Sequence, residues 1–385
     1  MENTHTARTL LRQPSGSVQQ RDVRVDRHDG YRIQIEENAL DHWPARLAEA
    51  TGAARVWVVT DVNVWAELGR RFCAAEGAEQ VVAGVLRLPC GERSKSLATW
   101  QRLISWFADE GVRRRDVIVA LGGSMVSDTA GFAAACYMRG IPYANFPTSL
   151  LAQVDGAVGG KVAVNMPQGK NLVGNFHHPV YVLCDPTVLP SLPDAEISNG
   201  LAEVIKSFTI SADGLFAELE RLVPRCRNRE LDALSWIVHT AITQKMTLVD
   251  PDPYEVDLRR ALNFGHTIGH ALETSKSYSA IRHGEAVSIG MATATRLGLR
   301  RGITDPADAR RILDTIAAAG LDDRVPAELI PEVVGNTEVI ARVRGGNLRY
   351  VVPCKIGSVE YLEDVTPDEL AVAAAGTYVP AGDRV

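Results

Sequence analysis

The feature that most limits the fold of this chain is an alternation of apolar strand-like runs with amphipathic helical segments in its first 150 residues. The predicted helices cover residues around 43–50, 64–76 and 96–111, with another around 132–137. Strands that alternate with helices at this spacing predict an α/β domain with a parallel sheet. The strand-like runs cover residues 31–36, 55–61, 81–88, 116–123 and 142–147.

The pattern changes at about residue 190, where long amphipathic segments begin to follow one another. Predicted helices cover residues 194–210, 214–222, 230–248, 262–275, 284–300 and 306–319, and a strand pair is predicted near 348–352 and 357–361. At 385 residues the chain exceeds what one core usually covers. We therefore predict a flexible N-terminal tail (1–23), an α/β domain (24–188) and a mainly α-helical domain (189–385).

Composition excludes several classes of protein. The net charge of -6 is unlike that of a nucleic-acid-binding protein, and no apolar run is long enough to span a membrane. The N-terminus has no apolar core of a secretory signal. The six cysteines form no C-x-x-C pair, so we expect reduced, mostly buried thiols. We therefore expect a cytoplasmic protein that binds neither nucleic acid nor membrane.

A glycine pair lies where an apolar strand meets a helix, in Leu121-Gly122-Gly123-Ser124. Glycines there let backbone amides approach a phosphate, and the start of a helix favours negative charge. An ordinary tight turn gives the same pattern, although the position in an α/β domain favours the phosphate cradle. Asp61 and Glu92 end other elements of this domain. Each of these carboxylates could accept hydrogen bonds from ribose hydroxyls or could cap the next element.

Three of the nine histidines fall close together, at His266, His270 and His283. His266 and His270 are spaced i, i+4 on a predicted helix, so they share one face. Imidazoles at this spacing can converge on a divalent metal, and Glu203 is a candidate anionic ligand. The segment lacks the glutamate of H-E-x-x-H, which excludes protease chemistry of that type. Spacing alone leaves metal ligands and polar core histidines open, while the neighbouring glycines favour a functional site.

Four cations lie near glycines, prolines or otherwise apolar helices: Lys161, Lys206, Lys245 and Arg259. A lone lysine is usually a solvated surface cation. Several in candidate motif segments instead indicate a pocket for a phosphate and a carboxylate.

These segments, taken in order, resemble the 3-dehydroquinate synthase family of sugar-phosphate cyclases from about residue 31 to 370. The resemblance implies a dehydroquinate synthase-like fold, with an α/β NAD-binding domain and a helical metal- and substrate-binding domain. The matching segments are Pro89-Cys-Gly-Glu92-Arg-Ser-Lys95, Gly122 to Asp128, Tyr137-Met-Arg139-Gly, Pro147 to Asp155, Gly159-Gly-Lys161, Gly169-Lys170-Asn171, Leu201-Ala-Glu203-Val-Ile-Lys206, Arg259 to His270 and Arg282-His283-Gly-Glu.

The resemblance also assigns roles. It implies that Glu203, His266 and His283 hold zinc, with cobalt as an alternative, and that His270 faces the substrate phosphate instead. The implied substrate-pocket and catalytic positions are Asp155, Lys161, Lys206, Lys245, Glu255, Arg259, Asn263 and His270. The implied phosphate contacts are Arg139, Lys161, Asn171, His270 and Arg342, with Arg139 serving the neighbouring subunit of a homodimer. The implied NAD contacts are Asp61, Asn63, Glu92, Lys95, Gly122, Gly123, Asp128, Thr148, Ser149 and Lys170.

The implied reaction uses NAD catalytically: a substrate hydroxyl is oxidised, phosphate leaves, the ketone is reduced again and an intramolecular aldol reaction closes the ring. Arg259, Asn263 and His270 favour a carboxylate-bearing substrate, 3-deoxy-arabino-heptulosonate 7-phosphate, which gives 3-dehydroquinate. The alternatives are the 3-amino analogue and sedoheptulose 7-phosphate. A metal-dependent NAD alcohol dehydrogenase and a paralogue that only binds NAD or metal are further alternatives.

Two positions depart from the family pattern. Ser124 replaces the third glycine of the loop, and the stretch Val339-Ile-Ala-Arg342-Val-Arg344 replaces an Asp-Lys-Lys that supplies a phosphate-contacting lysine. Arginine is not a positional copy of lysine. The second departure favours a specialised-metabolism enzyme that acts on a related sugar phosphate.

Overall fold

A six-stranded, fully parallel sheet forms the centre of the first half of the chain. The computed structural model describes residues 9–11, 21–23, 30–254, 261–275, 281–343 and 348–376. Within the predicted tail, two short strands, β1 (Thr9–Leu11) and β2 (Arg21–Val23), pair with each other in antiparallel fashion.

The strands of the sheet are β3 (Arg32–Ile35), β4 (Val56–Asp61), β5 (Val82–Leu88), β6 (Val117–Gly122), β7 (Tyr143–Pro147) and β10 (Tyr181–Cys184). Their spatial order is β3-β10-β7-β6-β4-β5. The predicted strands and the predicted parallel sheet are confirmed. Strand β10 was not predicted, because its apolar run before Asp185 is only four residues long.

Helices cover both faces of this sheet, because alternate residues of a buried strand point in opposite directions. Val58 of β4 packs into a core with α1 (Trp43–Thr51) and α2 (Val62–Ala74), whereas Val59 packs into a second core with α4 (Leu97–Asp109) and α5 (Ser124–Cys136). A single-turn helix, α3 (Ala78–Val81), leads into β5. The apolar runs therefore contribute to two cores at once.

The second half is mainly helical, as predicted. Its helices are α6 (Asp194–Thr209), α7 (Asp213–Arg227), α8 (Leu231–Val249), α9 (His266–Glu273), α10 (His283–Arg300), α11 (Pro306–Ala318), α12 (Ile330–Val343) and α13 (Pro367–Ala374). The predicted strand pair is confirmed as β11 (Tyr350–Lys355) and β12 (Ser358–Leu362), which are antiparallel. Helices α12 and α13 were not predicted. The core beneath α1 continues into α6 and α10, so both halves share it.

An antiparallel hairpin that was not predicted, β8 (Lys161–Met166) and β9 (Gly169–Phe176), packs against α5. The Asn165 amide N donates to the Lys95 carbonyl at 2.9 Å, which fixes the hairpin to the segment before α4. This hairpin carries three of the candidate site residues.

All six cysteines are free, but only Cys184 and Cys226 are buried. The expectation of mostly buried thiols is therefore wrong, because Cys73, Cys90 and Cys136 lie at or near the solvent-facing ends of their elements. Among the described helices, none combines the length and the apolar character needed to cross a bilayer.

Candidate active site

Three side chains with metal-ligand chemistry converge from three different helices. Glu203 lies in α6, His266 begins α9 and His283 begins α10. One ligand atom from each lies within 4.8 Å of the other two. The Nε2 atoms of His266 and His283 lie 3.6 and 3.4 Å from Oε1 of Glu203. One carboxylate and two imidazoles form the donor set of an open, catalytic zinc site.

The environment of Glu203 fits a cation at this point. The residue is 2% exposed, and neither carboxylate oxygen accepts a hydrogen bond of good geometry. The ammonium group of Lys206 forms an ion pair with it one turn along α6. A buried carboxylate with unused lone pairs is costly unless cations surround it. These residues therefore fit a divalent metal ion.

The ionisation of the three ligands follows from their surroundings. Burial raises the pKa of Glu203, but Lys206 and the two imidazoles lower it more, to well below its usual range. Burial, together with Lys206, lowers the pKa of His266 to about 3. Burial lowers the pKa of His283, but the carboxylates of Glu203 and Glu273 raise it to about 10. An ionised carboxylate and a neutral imidazole are the forms that bind metal, so a bound cation would displace the proton that the two carboxylates hold on His283.

Glycines allow the helices that carry the histidines to touch. Gly265 precedes α9 with φ at 79°, a left-handed conformation that favours glycine. A Cβ atom at Gly290 of α10 would lie 1.9 Å from the Gly265 carbonyl oxygen, and one at Gly284 would lie 2.1 Å from the Asn199 carbonyl oxygen. The glycines that were expected to favour a functional site are thus explained by packing, because α10 lies directly against α9 and α6.

His270 lies one turn beyond His266 on the same face of α9, as the spacing predicted. Its ring centre lies 5.3 Å from that of His266 and 6.4 Å from that of His283. It does not belong to the converging donor group among the described residues. His270 therefore lies beside the candidate metal ligands without being one of them.

Lysines face the carboxylates of this centre. The Lys245 ammonium group lies 2.8 Å from Oδ1 of Asp155 and donates to the carbonyl oxygens of Asp155 and Val158 at 2.6 and 2.8 Å. Burial raises the pKa of Asp155, but Lys245 and Lys206 lower it more, so that it lies below its usual range. Lys245 and Lys206 are therefore both held by ion pairs with carboxylates of the centre.

The candidate nucleotide contacts lie at the carboxyl edge of adjacent parallel strands. Asp61 ends β4, Gly122 ends β6 and Thr148 follows β7, with Thr60 beside Leu121 and Gly122 beside Pro147 in the register. The crevice at this edge is where ligands bind in open α/β sheets. The glycine pair therefore lies at the edge of the sheet where such a crevice forms.

The side chains at this edge already have local partners. Oδ1 of Asp61 caps α2 by accepting from the amide groups of Asn63 and Val64 at 2.9 and 3.0 Å. A Cβ atom at Gly123 would lie 3.3 Å from Oγ of Ser149, so packing against Ser149 also favours glycine at this position. Helix α5 begins directly after Gly123, so the amide groups of its first turn face the crevice.

A polar network connects this crevice to the β8–β9 hairpin. Lys95 is 5% exposed, and its ammonium group bonds to both Asp128 and Asn171. Burial raises the pKa of Asp128 above its usual range despite the opposing charge of Lys95. On the outer side, Asn165 donates to Glu92 at 2.7 Å.

The remaining predicted site residues are less enclosed. Lys161 begins β8 and is exposed, as are Asn263, in a single turn before α9, and Arg342, near the end of α12. Arg139 is exposed and has φ at 67°, an uncommon value for a residue other than glycine. Glu255 and Arg259 lie outside the described residues.

Sequence reasoning missed one residue of the centre, Glu273. Its Oε1 atom lies 3.2 Å from Nδ1 of His283 and 2.8 Å from Nζ of Lys170. A single glutamate at the end of a helix is usually solvated, so only its position on the same face of α9 as His266 and His270 could have indicated that it belongs to the centre.

The parallel sheet with its crevice, the helical half and this centre together fit an enzyme that binds NAD and a metal ion. The chain belongs to the 3-dehydroquinate synthase family: the pattern of the N-terminal part of 3-dehydroquinate synthase matches residues 85–199, and that of the C-terminal part matches residues 200–338.

Individual relatives span most of the chain. It is 42% identical to a 2-epi-valiolone synthase of Actinosynnema mirum, over 93% of this chain and 94% of the relative. It is 39% identical to a 3-dehydroquinate synthase of Desulforamulus reducens, over 89% and 96%. Among solved structures, the 2-epi-5-epi-valiolone synthase ValA of Streptomyces hygroscopicus, with NAD+ and Zn2+ bound, superposes with a TM-score of 0.82 at 27% identity, over 91% of this chain and 98% of that one.

Proposed function

We propose that this protein is an NAD- and zinc-dependent lyase that converts sedoheptulose 7-phosphate into a valiolone-type cyclitol and inorganic phosphate. The cyclitol and the phosphate together contain the same atoms as the substrate, with no net oxidation, so NAD is regenerated in each cycle. The observation that carries the choice of substrate is the full-length similarity to a 2-epi-valiolone synthase at 42% identity. A second such enzyme, of Stigmatella aurantiaca, is 41% identical over 89% of this chain.

In this proposal the centre supplies ligands and cations to the reaction. Glu203, His266 and His283 would hold the metal, and the crevice at β4, β6 and β7 would hold NAD. A bound metal supplies Lewis acidity toward a substrate oxygen, and NAD supplies reversible hydride transfer. The protein itself contributes orientation and charge.

Cations of the pocket would bind the phosphate and favour its departure. Lys245 is held in place by three oxygen acceptors of the segment 155–158, so its charge needs no rearrangement during the reaction. His270 lies within one helical turn of the metal ligands and would donate a proton or a hydrogen bond to the leaving phosphate. Asp155 orients Lys245 through their ion pair.

The presence of arginine at position 342 supports the choice of a specialised substrate. Arg342 occupies the stretch in which the family resemblance places a phosphate-contacting lysine, and the longer, planar arginine side chain binds with different geometry. We also propose that the protein is cytoplasmic and forms a homodimer. The reason for the dimer is that Arg139 lies in an exposed, strained turn, from which it can reach a neighbouring subunit. Size-exclusion chromatography with light scattering tests the dimer.

A phosphate-release assay tests the proposed reaction. Purified protein with NAD and Zn2+ is given sedoheptulose 7-phosphate or 3-deoxy-arabino-heptulosonate 7-phosphate, with and without a chelator. We expect phosphate release from the first substrate, inhibition by the chelator and no net NADH. The matched controls are His266→Ala, which removes a metal ligand, and His239→Ala, which removes an exposed histidine of α8.

A 3-dehydroquinate synthase activity is the second candidate, and Arg259, Asn263 and His270 favour it because an arginine pairs well with a carboxylate. Turnover of the heptulosonate alone would establish that reaction and refute the first. Accumulation of NADH with a simple polyol would instead identify an alcohol dehydrogenase.

A further inference from the structure

Glu273 occupies a buried position between the metal ligands and the β8–β9 hairpin. Its side chain is 2% exposed, and it is the last residue of α9, two turns beyond His266. Oε1 accepts from Nδ1 of His283 at 3.2 Å and from Nζ of Lys170 at 2.8 Å. A single carboxylate oxygen thus joins a residue of α10 to a residue of β9.

The imidazole of His283 is held on both sides. Nδ1 faces Glu273, while Nε2 faces Glu203 at 3.4 Å. A carboxylate that accepts from one ring nitrogen fixes the tautomer and the ring plane, which directs the other nitrogen at the metal. The position of His283 therefore depends on Glu273 as well as on its own helix.

The next contact leads away from the metal. Lys170 reaches Glu273, while its neighbour Asn171 accepts from Lys95 in the network with Asp128. Asn171 has φ at 55°, a left-handed backbone conformation that is uncommon for a residue other than glycine. The hairpin thus connects the nucleotide crevice with the metal centre through two consecutive residues.

We propose that Glu273 is a positioning residue that orients His283 for the metal and, through Lys170, links this ligand to the nucleotide crevice. The inference rests on the metal centre of the proposed function and deepens it. Neither Glu273 nor Lys170 touches a reacting atom in this proposal. Their effect is on metal affinity and on its linkage to NAD affinity.

Metal titration of Glu273→Ala tests the first half. We expect Co2+ affinity, followed by the visible absorption of the bound ion, to fall by about 10- to 100-fold. Glu273→Gln keeps the shape and one acceptor, so its affinity should lie between those of Glu273→Ala and the unmodified protein. Glu220→Ala removes a carboxylate of α7 that pairs with Arg311 of α11, and it should leave the affinity unchanged. Unchanged Co2+ affinity in a folded Glu273→Ala protein would overturn the proposal.

Lys170→Met tests the link without removing any group that faces His283. We expect the dissociation constant of NAD to differ by about fivefold or more between metal-loaded and chelator-treated protein, a typical size for coupled sites. In Lys170→Met this ratio should fall toward one, and Lys170→Arg should restore part of it. A ratio equal to that of the unmodified protein in Lys170→Met, or a ratio of one in the unmodified protein, refutes the link.

These binding measurements need no turnover, so they separate the two proposals. If no sugar phosphate is cyclised but Glu273→Ala still loses metal affinity, the proposed function fails and the positioning role stands. If phosphate is released normally and Glu273→Ala binds Co2+ like the unmodified protein, the positioning role fails alone.

Discussion

The ammonium group of Lys245 lies 2.8 Å from Oδ1 of Asp155 and joins α8 to the segment that precedes the β8–β9 hairpin. Lys245 is 12% and Asp155 is 30% exposed at the side chain. Two carbonyl oxygens, of Asp155 and Val158, also accept from this ammonium group. The lysine is therefore fixed before any substrate binds.

Lys245→Met removes this cation while keeping most of the side-chain volume. We expect kcat/KM for phosphate release to fall by about 100-fold or more, as for loss of one preorganised donor. We also expect the free energy of unfolding to fall by about 1–3 kcal/mol, because the acceptors lose a charged donor. Lys355→Met, at the exposed end of β11, is the control and should alter neither quantity. Activity within threefold of the unmodified protein would remove Lys245 from the mechanism.

Separate substitutions of His266 and His270 test the division of roles on α9. His266→Ala should abolish stable Zn2+ binding, because one of three protein ligands is lost. His270→Ala should bind Zn2+ within about threefold of the unmodified protein but release phosphate at least about 100-fold more slowly. Metal content after dialysis and single-turnover phosphate release measure the two effects. Loss of zinc from His270→Ala would make it a ligand and contradict the assignment.

Packing between α9 and α10 is tested by Gly290→Ala. The new Cβ atom would lie 1.9 Å from the Gly265 carbonyl oxygen, so the helices must separate. We expect a loss of about 1–3 kcal/mol in the free energy of unfolding, with weaker metal binding. Gly335→Ala in α12 meets no atom within 4 Å and is the matched control.

The control should gain about 0.5–1 kcal/mol, because alanine is the better helix former. Both free energies come from urea unfolding monitored by circular dichroism. Equal stability of the two variants would show that α9 and α10 tolerate a wider separation.

The ion pair between Glu369 and Arg301 gives a pH dependence of stability remote from the centre. The hydrogen bond from Arg301 lowers the pKa of Glu369 from 4.5 to about 2, despite partial burial that raises it. A depressed pKa means that the stabilisation is present above pH 4.5 and is lost as the pH falls toward 2. Because the pair is partly exposed, we expect only about 0.5–1 kcal/mol.

Glu369→Gln should therefore be less stable than the unmodified protein at pH 7, and the difference should shrink between pH 4.5 and 3. Glutamine also suits the capping box with Thr366, so the cap is retained. Urea midpoints at several pH values provide the measurement. Glu328→Gln, which alters an exposed carboxylate, should show no such trend. A difference that stays constant with pH would rule out this ion pair as the cause.

Much of the fold was predictable because local sequence determines it. The apolar runs that became β4 and β6 are too short for buried helices and have Asp61 and Gly122 at their ends, so the parallel sheet and its crevice followed from them. The hairpin of β8 and β9 was missed, because asparagine, glycine and proline interrupt its alternation. Its register depends on contacts with Lys95 and α5.

The sequence by itself determined which helix face carries His266 and His270, since i, i+4 spacing places two residues together in any α-helix. Only the tertiary structure decided what surrounds that face. Glu203 lies 63 residues before His266 in the chain. Glu273 belongs to no recognisable sequence motif. They meet His283 because glycines let α10 pack directly on α6 and α9. Burial there, away from competing water, turns ordinary polar side chains into a centre that fits a metal ion.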